Sequence, residues 1–134
     1  MKIYIVSHRE YEFPACDNYI PIRVGFGTVK ISASFDKDNS GDNISHLNSS
    51  FCELTAAYWI WKNSQEDIVG LVHYRRHFAS AGSELRIKGK GIATAEELKE
   101  HLNNVDILVA KPRNYFIISV KSHYVNAHHK SDYI

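Results

Sequence analysis

Apolar and polar residues alternate along this chain in a pattern that predicts strands separated by helices. Residues 2–6 form a short, β-branched apolar run and predict a first strand. Residues 68–72 form a similar run, typical of a strand buried on both faces, and residues 106–110 predict another buried strand. Residues 20–24 contain Pro21, which has no N–H to donate and therefore predicts an extended segment or an edge strand.

Two helices are predicted between these strands. Ser50 followed by Glu53 fits a capping box that would open a helix over residues 50–63. Thr94 and Glu97 fit a second capping box, which predicts a helix to about residue 103. The first helix carries an apolar stripe at helical spacing that would face the core, formed by Phe51, Leu54, Tyr58 and Trp61 and widened by Ala57 and Ile60.

The remaining segments are predicted as loops or stay ambiguous. Residues 31–48 are polar and predict a mobile surface loop. Residues 79–91 mix Gly, Ser and Lys and predict a loop with a hairpin around residues 85–88. Residues 114–120 suggest a strand, but residues 119–129 fit a helix equally well. The alternation of elements as a whole predicts an α/β fold with a mostly parallel sheet flanked by helices.

Length, composition and charge narrow the class of protein. The chain has 134 residues, which suffices for one domain with a core. Its 44% hydrophobic and 23% charged residues are ordinary for a soluble globular protein. The formal net charge of +1 gives no sign of nucleic acid or of an anionic membrane as a partner, so phosphate binding would depend on local clusters.

Cysteine content and hydropathy predict a cytoplasmic protein. Two cysteines are too few for a disulfide scaffold, which favours a reducing compartment. No apolar run approaches the roughly 20 residues that cross a bilayer. The apolar run at the N-terminus is too short for a signal peptide.

A group of polar, cationic and aromatic residues follows two of the predicted strands. The strand at residues 68–72 leads directly into His73, Tyr74, Arg75 and Arg76. Ligands of open α/β sheets bind outside the carboxyl ends of strands, and two adjacent arginines can hold phosphate in bidentate geometry. His8 and Arg9 follow the first strand in the same way and either line the same nucleotide site or are surface loop residues. The alternative for the two arginines is that they form a solvated, salt-bridged edge of the sheet and bind no ligand.

Other chemistries have weaker support in the sequence. Eight histidines are many for this length, but none lies in a zinc-binding motif. No nucleophile elbow and no P-loop occur. An Asp-x-Asp pair, a common metal site in nucleotide-sugar transferases, occurs only as Asp36 and Asp38, in a polar loop rather than after an apolar strand. The pair is therefore discounted.

Two blocks of the sequence closely resemble a bacterial family. One block is Phe-Cys-Glu-Leu-Thr-Ala-Ala-Tyr-Trp-Ile-Trp-Lys-Asn at residues 51–63, and the other is Gly-Leu-Val-His-Tyr-Arg-Arg-x-Phe at residues 70–78. The first strand, residues 19–25, the Asn-Ile-Ser at residues 43–45 and the late histidines fit the family too. We call it the HYRR-motif family after the His-Tyr-Arg-Arg run at residues 73–76. The family was formerly described as a domain of unknown function. Its members occur with capsular and exopolysaccharide synthesis genes and are treated as glycosyltransferases.

The resemblance implies a glycosyltransferase that moves a sugar from a nucleotide-sugar donor to a glycan or lipid-linked glycan acceptor. It implies a sheet similar to the nucleotide-binding half of the GT-A type. Arg75 and Arg76, with His73, would offset the charge of the leaving diphosphate. Asp132 or His128 would serve as the base or hold the acceptor. The expected substrate-binding residues are His8, Arg9, Asn43, Glu53, Thr55, Tyr74, Arg75, Arg76 and His123.

No cofactor is required on this hypothesis, although a divalent metal such as manganese stays open as an alternative. The expected location is the cytoplasm or the inner face of the membrane, next to the polysaccharide-assembly machinery. Family domains are usually longer, so residues 1–134 are expected to form a single, incomplete domain from a C-terminally truncated member. The rival hypothesis is therefore a non-catalytic domain that binds nucleotide or glycan, or that scaffolds polysaccharide assembly.

Overall fold

The computed structural model describes residues 1–25, 35–112, 114 and 116–127. Its centre is a parallel sheet of four strands in the order β3-β2-β1-β4. The strands are β1 (Lys2–Ser7), β2 (Tyr19–Arg23), β3 (Asp36–Lys37) and β4 (Val69–His73). The predicted α/β class with a mostly parallel sheet flanked by helices is confirmed.

The central strand β1 is buried on both of its faces. Ile3 and Ile5 lie in one apolar cluster, and Tyr4 and Val6 lie in another. Because successive side chains of a strand point to opposite faces, these two clusters form the two sides of the sheet. Burial on both sides explains the continuous apolar run that predicts this strand from the sequence.

Helices cover both faces of the sheet. A 3₁₀ turn (Ser45–Leu47), the short helix α1 (Asn48–Phe51) and helix α2 (Leu54–Asn63) follow β3. Helix α2 packs through Ala56 and Ile60 against Tyr4 and Val6. Helix α3 and a small hairpin cover the other face. The later elements are β5 (Arg86–Ile87), β6 (Lys90–Gly91), α3 (Ala95–Leu102) and α4 (Val120–Ala127).

Of the two predicted capping boxes, only the second forms. Thr94 accepts from the Glu97 N–H and the Glu97 carboxylate accepts from the Thr94 N–H, as expected at the start of α3. The prediction of one helix over residues 50–63 is wrong, because the chain breaks at Cys52 in a positive-φ conformation. The Asn48 side chain donates to the Cys52 carbonyl at 2.8 Å and stabilises this break.

The predicted inner face of this helix is right for Ile60, which is buried, but wrong for most of the stripe. Phe51, Leu54 and Trp61 are exposed, by 45%, 60% and 70% respectively. The buried positions are Thr55, Ala56 and Ile60, with Trp59 packed beside them. The predicted apolar stripe and the residues that are in fact buried lie on neighbouring sides of α2. The side that turns inward carries Thr55, whose hydroxyl donates to the buried Asp38 carboxylate.

Strand β4 lies at an edge of the sheet, so the expectation of burial on both faces is wrong. Val69 and Leu71 are exposed, whereas Val72 is buried. Gly70 suggested the close approach of another backbone or of a ligand, but the close neighbour is a side chain. A Cβ at Gly70 would lie 3.2 Å from Cγ1 of Ile3, tighter than ordinary contact.

Strand β2 lies inside the sheet, between β1 and β3, which corrects its predicted place at an edge. The backbone N–H of residue 24 donates to β1, whereas the Arg23 carbonyl accepts from the Asp38 N–H on the side of β3. The backbone groups of odd-numbered β2 residues therefore point away from β1. Pro21 therefore faces the side where β3 pairs only with residues 22 and 23. Within the described residues β3 begins at Asp36, so the missing N–H of Pro21 removes no ladder hydrogen bond there.

Three further predictions can be compared with the structure. Residues 106–110 do not form a strand, although Ile107 and Val109 made that prediction reasonable. The hairpin around residues 85–88 is confirmed, with β5 and β6 paired antiparallel. The helical alternative for residues 119–129 is confirmed over α4. Within the described ranges no helix has both the length and the apolar character needed to span a bilayer.

Candidate functional site

The carboxyl ends of β1 and β4 meet at one edge of the sheet. Val6 pairs with His73, and the Tyr74 N–H continues the ladder by donating to the Val6 carbonyl at 3.0 Å. His8 and Arg9 leave β1 at the same level at which residues 73–76 leave β4. The structure thus brings together the two groups that the sequence placed after separate strands.

Tyr74 is the centre of this cluster. Its side chain is 1% exposed, and the rings of His8 and His73 lie 5.4 and 4.2 Å from its ring centroid. The guanidinium carbons of Arg75 and Arg9 lie 5.1 and 5.9 Å from the same centroid, within the range of cation–π attraction. A buried aromatic ring thereby positions two cations and two imidazoles around one point of the sheet edge.

A tight turn directs the two arginines outward. The Arg76 N–H donates to the His73 carbonyl at 2.8 Å, so the chain reverses immediately after β4. Both Arg75 and Arg76 are exposed, and neither guanidinium forms an ion pair with a carboxylate in the described part of the chain. Both arginines are solvated, but the alternative of a salt-bridged edge is not observed within the described residues. Two cations without a carboxylate partner in these ranges stand where α/β sheets bind ligands.

His73 lies on the opposite side of the strand from Tyr74 and has a contact at each ring nitrogen. The Arg75 N–H donates to Nδ1 at 3.2 Å, which places the proton of the neutral ring on Nε2. Nε2 faces Oε1 of Glu53 at 3.7 Å. Burial lowers the pKa of His73, Glu53 counteracts this shift, and Arg75, Arg76 and His8 lower the pKa further. His73 is therefore mainly neutral at pH 7.

A second polar cluster lies buried beside the same sheet. The carboxylate of Asp38 is 1% exposed and accepts from the hydroxyl of Ser45 at 2.7 Å and from that of Thr55 at 2.6 Å. Asn48 donates to the Thr55 oxygen at 3.0 Å. We call Asp38, Ser45, Asn48 and Thr55 the Asp38 network. It joins the end of β3 to the 3₁₀ turn and to α2, and it determines how α2 is rotated.

The buried network corrects two predictions. Residues 31–48 were expected to form a mobile surface loop, but Asp38 and Ser45 within that range are fully buried. Thr55 was expected to bind substrate, but it is 0% exposed and its hydroxyl is committed to Asp38. A buried group whose hydrogen bonds are all used holds its neighbours in place and has no opening to a ligand.

The other predicted site residues take varied positions. Asn43 lies in the loop before the 3₁₀ turn, where its side chain donates to the Gly41 carbonyl and accepts from the Ser45 N–H. Glu53 precedes α2 and is exposed towards His73. His123 is exposed on α4. His128 and Asp132 lie outside the described residues, so the catalytic roles assigned to them stay predictions.

The aspartate pair at residues 36 and 38 does not fit a divalent cation. Asp38 is buried with both carboxylate oxygens accepting hydrogen bonds from hydroxyls, whereas Asp36 is exposed on β3. Buried oxygens that are already committed to internal donors are not open to an ion that needs several oxygen ligands. Elsewhere in the described ranges no three His, Cys, Asp or Glu residues form a group that could hold a metal.

A groove opens beside the arginines and includes residues that the sequence did not single out. Its volume is about 420 Å³, within the range of roughly 300–1,000 Å³ that is usual for small-molecule sites. We call it the basic groove. Its polar and aromatic walls are formed by Tyr11, Tyr74, Arg75, Arg76, Lys88 and Lys90. The lysines belong to the hairpin, whose sequence suggested only a turn.

Comparisons with known proteins give a family for the chain and a similar solved structure. The family described as a domain of unknown function (DUF4422) matches residues 2–134 of the chain. Among solved structures, the chain is similar to the apo structure of WbbM, a bifunctional glycosyltransferase, at 42% sequence identity and a TM-score of 0.53. That similarity covers 62% of this chain and 14% of WbbM. No match was found among the curated proteins.

Proposed function

We propose that this chain, which belongs to the family described as a domain of unknown function (DUF4422), binds the nucleotide-sugar donor of a glycosyl transfer reaction. The observation that carries the proposal is the convergence of His8, Arg9, Arg75 and Arg76 around Tyr74 at the carboxyl edge of the sheet. The 42% identity to a bifunctional glycosyltransferase supports the same reaction class.

The arginines supply what the leaving group of such a reaction needs. Glycosyl transfer breaks the bond between the sugar C1 and the diphosphate oxygen, and it forms a bond between C1 and an acceptor hydroxyl oxygen. Negative charge develops on the departing diphosphate. Fixed guanidinium groups at that position lower the barrier because they stabilise this charge more in the transition state than in the ground state. Arg75 and Arg76 are exposed, adjacent and free of carboxylate partners in the described ranges.

His73 contributes mainly by position. Because its pKa is lowered, it adds little positive charge at neutral pH. Its Nδ1 accepts from the Arg75 N–H, so the imidazole fixes the turn that presents the arginines. Glu53 faces its other nitrogen and holds the ring plane. The sequence predicted a catalytic role for His73. On this proposal His73 acts indirectly, by orienting Arg75.

The proton of the acceptor hydroxyl must pass to a base. We assign this step to His128 or Asp132, with His123 on the acceptor side, following the resemblance described above. The acceptor is proposed to be a glycan or lipid-linked glycan of capsular or exopolysaccharide biosynthesis, made at the inner face of the membrane. The described residues support the donor-binding part of this proposal, because the cations around Tyr74 are the groups assigned to the donor diphosphate.

A binding module without catalysis is the second candidate. It is favoured by one observation: His73, whose Nδ1 accepts from the Arg75 N–H and whose Nε2 faces Glu53, is not poised as a base. A radiolabelled-donor assay separates the two candidates, because hydrolysis or transfer by the purified chain would exclude the binding-only role.

The proposed donor site is tested by calorimetric titration with UDP and a panel of nucleotide-sugars, with and without manganese. The variant Arg75→Ala plus Arg76→Ala should bind at least about tenfold more weakly, since hydrogen bonds to charged groups contribute about 1.5–3 kcal/mol each. Its thermal midpoint should stay close to that of the wild type, because both side chains are exposed.

A matched control removes two exposed charges elsewhere. Lys99 and Lys111 are exposed and do not line the basic groove. The variant Lys99→Gln plus Lys111→Gln should bind like the wild type. Equal affinity in the double arginine variant and the wild type would refute the assignment of the arginines. Binding that requires manganese would mean that the diphosphate is held through a metal instead.

A further inference from the structure

We propose that Lys88 and Lys90 of the β5–β6 hairpin bind the donor diphosphate from the side of the basic groove opposite Arg75 and Arg76. This inference rests on the proposed function and adds to it a second set of phosphate-binding residues. No motif marks these lysines in the sequence, and they are 12 or more residues away from the arginines along the chain. They enter the site only through the fold.

Backbone hydrogen bonds fix the hairpin against the segment that follows the arginines. Ala79 pairs with Ile92 in an antiparallel bridge. The Ser80 N–H donates to the Gly91 carbonyl at 3.2 Å, and the Ala93 N–H donates to the Phe78 carbonyl at 2.9 Å. A side chain at Gly91 would overlap the Ser80 carbonyl oxygen. The two walls of the groove therefore belong to one hydrogen-bonded unit.

The groove concentrates positive charge in a nearly neutral protein. Four of its lining residues are Arg or Lys, and none of its lining residues is acidic. The whole chain has a formal net charge of +1, so the groove is much more cationic than the chain average. Cations that line one groove repel each other, and an anion bound among them offsets that repulsion. A diphosphate carries enough charge to bridge both walls.

The turn of the hairpin holds Lys88 in a defined position. Lys88 and Gly89 both have positive φ, at 48° and 76°, as a two-residue hairpin turn requires. The Lys88 ammonium lies 4.2 Å from the ring centroid of Tyr11, and the backbone N–H of Lys88 donates to Glu12 Oε1 at 3.2 Å. A lysine in a strained conformation, stacked on an aromatic ring, is preorganised for a ligand rather than freely mobile.

An unpaired polar group beside the groove supports ligand binding there. The Tyr74 hydroxyl is buried and has no hydrogen-bond partner in the described part of the protein. Tyr74 is one of the residues that line the groove. Buried polar atoms are normally paired, so an unpaired hydroxyl indicates a bound molecule or water beside it.

The inference is tested with inorganic diphosphate and UDP as probes. The variant Lys88→Asn plus Lys90→Gln removes both charges, and asparagine tolerates the positive φ at residue 88. We expect the affinity for both probes to fall about tenfold or more, and the dependence of affinity on salt concentration to weaken. The variant Lys88→Arg plus Lys90→Arg keeps the charges and should bind within about twofold of the wild type.

The same control, Lys99→Gln plus Lys111→Gln, removes two charges outside the groove and should leave both affinities unchanged. Circular dichroism of each variant checks that the hairpin substitutions leave the fold intact. Wild-type affinity in Lys88→Asn plus Lys90→Gln, together with loss of binding in the double arginine variant, would overturn this inference and leave the proposed function standing. If the wild-type chain bound neither inorganic diphosphate nor UDP, this inference and the proposed function would both be overturned.

Discussion

The Asp38 network and the basic groove lie beside the same sheet but satisfy their polar groups in opposite ways. In the network, one buried carboxylate accepts from two hydroxyls, and no cation takes part. In the groove, four cations line an open space without a carboxylate among them, and a buried tyrosine hydroxyl has no partner within the described residues. The first arrangement is complete within the protein, whereas the second leaves cations and a hydroxyl without a partner in the described ranges.

This difference separates residues that hold the fold from residues that are available to a ligand. Hydrogen bonds within the Asp38 network stabilise the rotation of α2 and the packing of Ile60 and Ala56. Charges in the groove contribute little to folding because exposed ion pairs and cation–π contacts are each weak. Substitutions in the network should therefore change stability, and substitutions in the groove should change binding.

The largest expected effect is on stability, at Asp38. The variant Asp38→Ala leaves the buried hydroxyls of Ser45 and Thr55 without an acceptor and should lower the free energy of unfolding by about 2–4 kcal/mol, measured by urea titration. The matched variant Asp36→Ala changes an exposed residue of β3, two positions before Asp38, and should stay within about 0.5 kcal/mol of the wild type. Similar stabilities for the two variants would show that the network does not hold α2.

A smaller effect is expected at Gly91, which connects stability to binding. The variant Gly91→Ala forces the hairpin away from Ser80 and should cost about 1–3 kcal/mol, as for other overpacked sites. It should also weaken UDP binding, because Lys88 and Lys90 move with the hairpin. The variant Gly82→Ala adds a methyl group where no atom lies within 4 Å and should change neither property. Unaltered UDP binding in a destabilised Gly91→Ala protein would argue against a rigid groove.

The smallest effect is the pH dependence of stability due to His73 and His77. Burial lowers the pKa of both side chains from the ordinary value of 6.5. A histidine whose pKa is lower in the folded state binds fewer protons there than in the unfolded chain. The stability it contributes is fully present above pH 6.5 and is lost as the pH falls below that value. Urea midpoints at pH 7.5 and 5.5 should therefore differ, with the folded state weaker at pH 5.5.

The variant His73→Gln should reduce this pH dependence, while Lys99→Gln should leave it unchanged. A nuclear magnetic resonance titration adds a direct check of the electrostatic cause. Removing the nearby cation in Arg75→Ala should move the pKa of His73 upward. A His73 pKa above 6.5 in the wild-type chain would contradict both the burial and the arginine contributions.

The sequence predicted the parts of this site that depend on local order along the chain. Apolar β-branched runs identify β1 and β4, and the residues after each run must lie at a strand end. In a parallel sheet those ends share an edge, so the sequence alone suffices to group His8, Arg9, Arg75 and Arg76. The capping box at Thr94 was equally predictable, because both of its partners lie within three residues.

The face of α2 was not predictable in the same way. Its strongest apolar stripe, with Leu54 and Trp61, is exposed, and a threonine faces inward instead. Periodicity ranks faces by hydrophobicity alone, but the buried carboxylate of Asp38 needs the Thr55 hydroxyl. Asp38 and Thr55 are 17 residues apart, and nothing in the local pattern links them. For the same reason, the polar segment around Asp38 looked like a surface loop.

The sequence by itself determined the α/β class, the strands β1 and β4, the hairpin turn, and the cations that follow the strands. Each of these depends on residues within about one turn or one strand of one another. The tertiary structure decided which helix face is buried, that β2 is interior, and that the hairpin lysines line one groove with the arginines. These outcomes depend on contacts between distant segments, whose energies appear only once the backbone brings the partners within hydrogen-bonding or Coulombic range.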